Sequence, residues 1–103
     1  MKVVVAGTGA AARKHIDAVR RIGGHAVVSV VGRDVEPTAQ FAADHGIDHH
    51  TVDLAEALAQ PGVEAVILAT PTQLHASQAV QAMEAGKHVF VEIPMADSLA
   101  DAE

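Results

Sequence analysis

Short apolar runs alternate with amphipathic segments along the whole chain, and glycine ends many of them. Lys2–Ala6 is an unbroken run rich in β-branched residues, which is typical of a strand buried on both faces. Later apolar runs predict further strands: Ala26–Val31, His49–Thr51, Glu64–Ala69 and His88–Glu92.

The segments between these strands predict helices. The first covers Ala10–Ile22, where apolar residues recur at helical spacing and a glycine pair follows as a stop. The second is expected to begin at Pro37, because proline suits the first helical position, and to end at Gly46. A short third helix is expected after Asp53, which forms a capping-box-like start with Glu56.

Two more helices are expected in the second half of the chain. One runs from about Gln73 to Ala85, and its predicted buried residues are Ala76, Ala79, Val80 and Met83. The other begins at Asp97 or Ser98 and is cut off at Glu103, which leaves it too short to be stable alone. We therefore expect the chain to be a fragment of a longer protein.

Strands that alternate with helices predict parallel pairing through right-handed crossovers. The expected fold class is α/β, with a Rossmann-type doubly wound parallel sheet in the strand order 3-2-1-4-5. The whole chain, residues 1–103, forms one domain in this prediction.

The turn after the first strand carries the candidate chemistry. Gly7-Thr8-Gly9-Ala10-Ala11-Ala12 fits the pattern G-x-G-x-x-A between a strand and a helix, which is the context of a dinucleotide site. The first glycine permits the sharp turn, the second lets a pyrophosphate approach the backbone, and the last alanine lets the helix pack on the sheet. The pyrophosphate would accept N–H groups at the helix N-terminus. The predicted cofactor contacts in this loop are Gly7, Thr8, Gly9, Ala10 and Ala11.

The end of the second strand is where such domains select their nicotinamide cofactor. NAD-binding domains usually place Asp or Glu there for the ribose 2′-OH, whereas this chain has Gly32-Arg33-Asp34. Gly32 leaves room for a 2′-phosphate and Arg33 can pair with it, so we predict NADP as the cofactor. NAD is the alternative, in which Arg33 is solvated and Asp34 reaches the ribose. Arg13 is a second candidate for the phosphate contact.

Two other interpretations of the glycine loop stay open. It is a plain tight turn in one of them, and the adenosyl-cofactor loop of a methyltransferase in the other. The methyltransferase interpretation fits poorly with Gly32 and Arg33, because a free ribose diol is expected to have an acidic partner.

Longer motifs elsewhere in the chain resemble a known family. They are Gly7-Thr8-Gly9 with His15, Ala69-Thr70-Pro71-Thr72-Gln73-Leu74-His75, Glu84-Ala85-Gly86-Lys87-His88-Val89 and Glu92-Ile93-Pro94. Together they resemble the N-terminal NAD(P)-binding domain of the Gfo/Idh/MocA oxidoreductases over essentially the whole chain. The resemblance implies a dehydrogenase whose small-molecule substrate and acid–base residues belong to a C-terminal domain absent from this sequence. It assigns no catalytic residue here.

The resemblance also implies cofactor contacts at the nicotinamide end of the cleft, namely Thr70, Pro71, Thr72, His75, Glu92 and Pro94. Ile93 departs from the family's pattern, which has a lysine near the nicotinamide that assists proton transfer. The run from Glu92 to Ser98 instead resembles one branch of the family, the dehydrogenases of carboxy-hydroxymuconate semialdehydes. That branch implies oxidation of a cyclic hemiacetal to a pyrone dicarboxylate with NADP. A non-catalytic NAD(P)-binding or redox-sensing module is the alternative.

Composition and charge exclude several kinds of partner and of active site. A net charge of −6 with only 7 scattered Lys and Arg argues against nucleic acid as a partner. The absence of cysteine excludes thiolate zinc sites and a thiol nucleophile. His49 and His50 are adjacent on a strand and point to opposite faces, so no metal site is predicted.

Partners and location follow from the apolar segments. The longest apolar run, Ala65–Ala69, is too short to cross a membrane, so we expect no membrane partner and a cytoplasmic protein. Apolar surface that the absent domain would cover tends to self-associate, so a homo-oligomer is also expected.

Overall fold

A computed structural model describes residues 1–91, in which strands and helices alternate. The elements are β1 (Lys2–Ala6), α1 (Ala10–Ile22), β2 (Ala26–Val31), α2 (Val35–His45), β3 (His49–Thr51), α3 (Leu54–Leu58), β4 (Val63–Leu68), α4 (Thr72–Glu84) and β5 (His88–Val91). The predicted helix at Asp97 or Ser98 lies outside the described residues.

The strands form one parallel sheet in the order β3-β2-β1-β4-β5, as the alternation of elements predicted. β1 is central and pairs with β2 on one side and β4 on the other. Its β-branched residues are almost fully buried because helices cover both faces of the sheet.

Two hydrophobic cores lie on the two faces of this sheet. On one face, α1 and α2 cover alternate strand residues such as Val3 and Val5 through Ile16 and Phe41. On the other face, Leu54, Leu58 and Ala82 of α3 and α4 contribute with the intervening strand residues to the second core. The side chains are small, which lets the helices approach the sheet closely.

The helix α2 begins at Val35, so the predicted start at Pro37 was two residues late. Asp34 occupies the N-cap position in extended backbone, and its carbonyl accepts the first bonds of the helix from the N–H and hydroxyl of Thr38. Pro37 fits inside the first turn because N–H groups there have no intrahelical partner to lose.

The predicted burial along α4 was largely wrong. Ala82 is buried and Ala79 is partly buried, whereas Ala76 is exposed, Val80 is 49% exposed and Met83 is 59% exposed. The helix lies over the last two strands of the sheet, so only one narrow side of it meets the core within residues 1–91. The other apolar stripe faces away from that core.

The start of α3 confirms half of the predicted capping pair. The Asp53 carboxylate accepts the N–H of Ala55 at 3.0 Å, as an N-cap residue does. Glu56 does not return a bond to the Asp53 N–H. That N–H donates instead to the Thr51 hydroxyl at 3.0 Å, and the same hydroxyl donates to Glu56 at 2.9 Å.

Candidate cofactor-binding site

The candidate site lies where the carboxyl ends of β1, β2 and β4 meet at one edge of the sheet. The Gly7 N–H donates to the Val31 carbonyl at 2.8 Å, and the Ala69 N–H donates to the Ala6 carbonyl at 2.8 Å. These bonds join the three turns side by side. The sheet order reverses between β1 and β4, and such switch points are where parallel α/β sheets bind ligands.

Gly7 makes the turn possible for two reasons. Its φ is +123°, which residues with a side chain rarely adopt. A Cβ atom on Gly7 would also lie 2.6 Å from the carbonyl oxygen of Ala69. The residue is buried, so the close approach of the β1 and β4 ends requires it, as the sequence predicted for the sharp turn.

Gly9 differs from Gly7 in both its backbone conformation and its surroundings. Its backbone is ordinary, with φ −90° and ψ −166°, and it is exposed. A Cβ atom there would meet nothing within 4 Å among the described residues. The protein's own packing therefore places no demand for glycine at this position. The space beside Gly9 fits the approach of a ligand to the backbone, as a dinucleotide pyrophosphate requires.

The N-terminus of α1 opens at the same place. Gly9 is its N-cap, no side chain caps the helix, and the first turn holds no acidic residue. The first intrahelical bond runs from the Arg13 N–H to the Gly9 carbonyl at 3.2 Å, so the N–H groups of Ala10, Ala11 and Ala12 precede the helical ladder. With the helix dipole they form an anion-binding end. Ala12 is fully buried against the sheet, which confirms the prediction for that position.

The end of β2 places Gly32 and Arg33 at the same edge. The Gly32 N–H donates to the Thr51 carbonyl of β3 at 3.0 Å, which anchors the strand end. Arg33 and Asp34 are both exposed, and within residues 1–91 neither side chain has a hydrogen bond or an ion pair. Each is therefore available to a ligand. Arg13 is also exposed, on the first turn of α1.

The turn between β4 and α4 is fixed by its own side chains. His75 bonds through Nε2 to the Thr70 carbonyl at 2.6 Å, and the Thr70 hydroxyl donates to the Gln78 side chain at 2.5 Å. Pro71 and Thr72 are exposed at the start of the helix. The polar groups of Thr70 are thus committed to α4. The sequence prediction missed Gln78, since no motif in the sequence links it to Thr70.

Glu92 and Pro94, the remaining predicted cofactor contacts, lie outside the described residues, as does Ile93. The other predicted contacts divide into three groups at one sheet edge. They are the glycine loop, the β2 end and the β4 turn.

A polar network behind the β2 end was also missed from the sequence. The Ser29 hydroxyl is 2.7 Å from Nδ1 of His49, and His49 Nε2 is 3.4 Å from a carboxylate oxygen of Glu56. Together they form a serine–histidine–carboxylate chain, which no spacing in the sequence indicates. Ser29 is fully buried in the middle of the sheet, so no substrate reaches it and the network holds β2, β3 and α3 together.

Two further features concern the described part of the chain only. Residues 1–91 contain no group of three or more His, Asp or Glu side chains arranged to hold a metal ion. None of the helices in the same residues has the length and hydropathy needed to cross a bilayer.

The sequence as a whole matches one family. The model of the Gfo/Idh/MocA oxidoreductase family, NAD-binding Rossmann fold, covers residues 1–103. The chain is 53% identical over 103 residues to the 4-carboxy-2-hydroxymuconate-6-semialdehyde dehydrogenase of Sphingobium sp. (strain NBRC 103272 / SYK-6), which is 100% of this chain and 33% of that protein.

Two solved structures give the same result for the fold. Biliverdin reductase from Synechocystis sp. PCC 6803, in complex with biliverdin and NADP+, superposes with a TM-score of 0.80 at 33% identity, over 90% of this chain and 29% of that one. The WlbA dehydrogenase from Bordetella pertussis, in complex with NADH and UDP-GlcNAcA, superposes with a TM-score of 0.80 at 33% identity, over 91% and 29%. The chain thus spans about a third of the length of these relatives.

Proposed function

Because the chain belongs to the Gfo/Idh/MocA oxidoreductase family, with its NAD-binding Rossmann fold, we propose that it is the NADP-binding part of a dehydrogenase for a carboxy-hydroxymuconate semialdehyde. In this proposal the substrate is the cyclic hemiacetal, and the product is a pyrone dicarboxylate. NADP+, when bound, would accept the hydride from the substrate. The described residues bind and orient it.

The observation that carries the proposal is the contrast between Gly9 and its surroundings. Nothing in the described protein lies within 4 Å of a Cβ atom at Gly9, although this glycine stands at the uncapped start of α1. A pyrophosphate placed there would accept the N–H groups of Ala10 and Ala11, and Thr8 beside them is partly exposed and adds a hydroxyl. These residues hold the two phosphates.

The preference for NADP rests on Gly32 and Arg33. No carboxylate stands at position 32 to receive the ribose diol or to repel a 2′-phosphate. The exposed Arg33 guanidinium donates to that phosphate, and one charge-assisted contact of this kind is worth roughly 10- to 100-fold in affinity. NAD is the competing cofactor, with the exposed Asp34 carboxylate as its ribose acceptor.

The substrate class rests on sequence likeness. The Sphingobium relative named above is identical at 53% of positions, and the run from Glu92 to Ser98 resembles the same branch. Ile93 has no titratable group and cannot transfer a proton as the family's lysine does. In this proposal the acid–base residues of the reaction therefore lie outside this sequence. We therefore expect the 103-residue chain alone to bind NADPH weakly and to turn over no substrate.

Self-association belongs to the same proposal. Phe90 on the edge strand β5 is 53% exposed, and the exposed stripe of α4 lies nearby. Apolar surface of this kind favours a second copy or the substrate domain as its cover. Sedimentation over a range of concentrations measures it, and a monomer at every concentration contradicts it. The cytoplasmic location stays a prediction from the sequence.

A fluorescence titration of the chain with NADPH and with NADH tests the cofactor. We expect tighter binding of NADPH, and a loss of about 10- to 100-fold in Arg33→Ala. Arg21→Ala is the matched control, because Arg21 is exposed at the far end of α1. It should leave the affinity unchanged.

The other outcomes separate the alternatives. Equal or tighter binding of NADH, lost in Asp34→Ala, would make NAD the cofactor. A loss in Arg13→Ala alone would move the phosphate contact to α1. NADPH binding without turnover by a protein that joins this chain to the C-terminal domain of a relative would favour a redox-sensing module.

A further inference from the structure

Position 32 is closed to side chains by a residue of α2. A Cβ atom built on Gly32 would lie 1.8 Å from the hydroxyl oxygen of Thr38, 2.8 Å from its Cβ and 2.9 Å from its methyl carbon. All three distances are shorter than carbon atoms in proteins tolerate. Gly32 and Thr38 therefore share one space, and Thr38 fills it.

Thr38 cannot leave that space by rotating. It is 1% exposed, and its hydroxyl donates to the Asp34 carbonyl at 2.6 Å while its N–H donates to the same oxygen at 3.1 Å. Rotation about χ1 would break the bond from the hydroxyl to the Asp34 carbonyl, and the Cβ of Thr38 would stay 2.8 Å from the added atom. Relief therefore requires α2 itself to move.

Gly32 is held from the other side. Its N–H donates to the Thr51 carbonyl at 3.0 Å, and the neighbouring Val31 carbonyl accepts the Gly7 N–H at 2.8 Å. The strand end is thus tied both to β3 and to the glycine loop. A side chain at position 32 would either push the first turn of α2 outward or break one of these ties.

From this packing we infer that Thr38 is a specificity-determining residue for the cofactor, acting through Gly32. The inference rests on the proposed NADP site. By excluding every side chain from position 32, Thr38 excludes the carboxylate that would bind a ribose diol and repel a 2′-phosphate. Thr38 is a positioning residue, since it is buried and acts through Gly32.

The consequence is that the two positions act as a pair. Gly32→Asp alone should not produce an NADH-binding protein, because the new side chain displaces the first turn of α2, which directly follows Arg33 and Asp34. Thr38→Ala removes two of the three overlapping atoms, the hydroxyl and the methyl group. The closest contact, at 1.8 Å, is then gone, and the remaining Cβ contact at 2.8 Å requires only a small shift of α2. The double variant Gly32→Asp/Thr38→Ala should therefore accept the carboxylate and prefer NADH.

The first experiment measures the overlap without any cofactor. Thermal unfolding is compared for wild type, Gly32→Ala, Thr38→Ala and the double variant. We expect Gly32→Ala to lower Tm by roughly 5–15 °C in the presence of Thr38, and by less than half of that in a Thr38→Ala background. Equal decreases in both backgrounds would overturn the inference.

The second experiment measures the ratio of the NADH and NADPH dissociation constants. We expect the double variant Gly32→Asp/Thr38→Ala to favour NADH by at least about tenfold relative to wild type, from the loss of the phosphate contact and the gain of the diol contact. Gly32→Asp alone should bind both cofactors more weakly. NADH binding by Gly32→Asp alone as tight as by the double variant would overturn the inference.

Thr38→Val is the matched control, because it keeps the bulk and loses the hydroxyl. Combined with Gly32→Asp it should bind NADH no better than Gly32→Asp alone, and recovery of NADH binding there would contradict the steric argument. A wild-type chain that binds neither cofactor would refute the proposed function. Additive changes of Tm would refute the role of Thr38 whatever the wild type binds.

Discussion

The helices α1 and α4 make an instructive pair, because each follows a strand of the same sheet and starts at the same edge. The start of α1 is open, with Gly9 as an uncapped N-cap and no acidic residue in the first turn. The start of α4 likewise has no side-chain cap and no acidic residue in its first turn, but its turn is closed by His75 and Gln78, which bond the carbonyl and the hydroxyl of Thr70. The two helices differ in burial as well, since α1 is anchored by Ala12 and Ile16 and α4 by Ala82 alone among its buried residues.

The starts of α1 and α4 therefore have different roles at one edge of the sheet. The α1 end keeps its backbone donors for a ligand, and the rest of the helix is packed firmly enough to hold them in place. The α4 end uses the carbonyl and the hydroxyl of Thr70 to fix its turn, and it presents exposed residues such as Pro71 and Thr72 at the same edge. We expect the firmly packed α1 end to bind the phosphates and the α4 end to shape the cleft.

The largest expected effect is that of Gly7→Ala, which adds a side chain in the turn between β1 and α1. The added Cβ would meet the Ala69 carbonyl oxygen at 2.6 Å on a backbone of φ +123°. Overlap and backbone strain together should cost about 3–5 kcal/mol of the free energy of unfolding, measured with urea. Gly23→Ala is the control, since its φ is +76° and its Cβ would meet nothing within 4 Å. A similar cost in both variants would show that strain alone matters.

Gly9→Ala should have little effect on stability and a large effect on NADPH binding. The backbone there suits any residue and the space is open, so the free energy of unfolding should change by less than about 1 kcal/mol. NADPH affinity should fall by about 10- to 100-fold, because the methyl group keeps the pyrophosphate from the N–H groups of α1. Thermal unfolding measures the stability and an NADPH titration measures the affinity, on separate portions of one preparation. Unchanged affinity would mean that no phosphate approaches Gly9.

Thr70→Val tests the closed turn of α4. It keeps the shape of the side chain and removes the hydroxyl that donates to Gln78 at 2.5 Å. We expect a loss of about 0.5–1.5 kcal/mol in the free energy of unfolding, by denaturant titration. Ser77→Ala, which removes a hydroxyl bond to Leu74 on the exposed side of the same helix, should cost less. If both variants lose the same amount, the Thr70 bond gives the turn no special support.

The smallest effect is expected for Val80→Gln on the exposed stripe of α4. Val80 is 49% exposed in the single chain, so at concentrations at which the chain is monomeric a polar side chain there should change the free energy of unfolding by no more than about 0.5 kcal/mol. Ala82→Gln is the comparison, because Ala82 is fully buried and a polar residue there should cost several times more. A large loss in Val80→Gln would mean that this stripe is covered in solution.

The alternation of apolar and amphipathic segments was enough to predict the order of the elements and of the sheet. Local patterns carry that information, because β1 is apolar at every position that faces a helix and glycine marks the turns. The pattern could not show that α4 has one covered side only. That depends on the position of the helix over the last strands, which no helical spacing of Ala76, Val80 and Met83 records.

For the site, the sequence predicted the glycine loop and the β2 end but not their supports. The motif assigned the sharp turn to Gly7 and the approach of a pyrophosphate to Gly9. The distances add that a Cβ atom would collide with the Ala69 carbonyl at Gly7 and would meet nothing within 4 Å at Gly9 among the described residues. Thr38 and the network of Ser29, His49 and Glu56 were missed. Their partners lie on different elements, so their roles depend on pairing that the linear sequence does not display.

The central place of β1 has a consequence for the order of assembly. Among the strands described, β1 comes earliest in the chain, yet Ala6 lies between Val31 of β2 and Leu68 of β4. During synthesis the strand must therefore wait for both neighbours, and pairing over such long separations is slow. The edge that would receive the cofactor cannot exist before Leu68 and Ala69 are made. Until then, the apolar residues of β1 have a neighbouring strand on one side only.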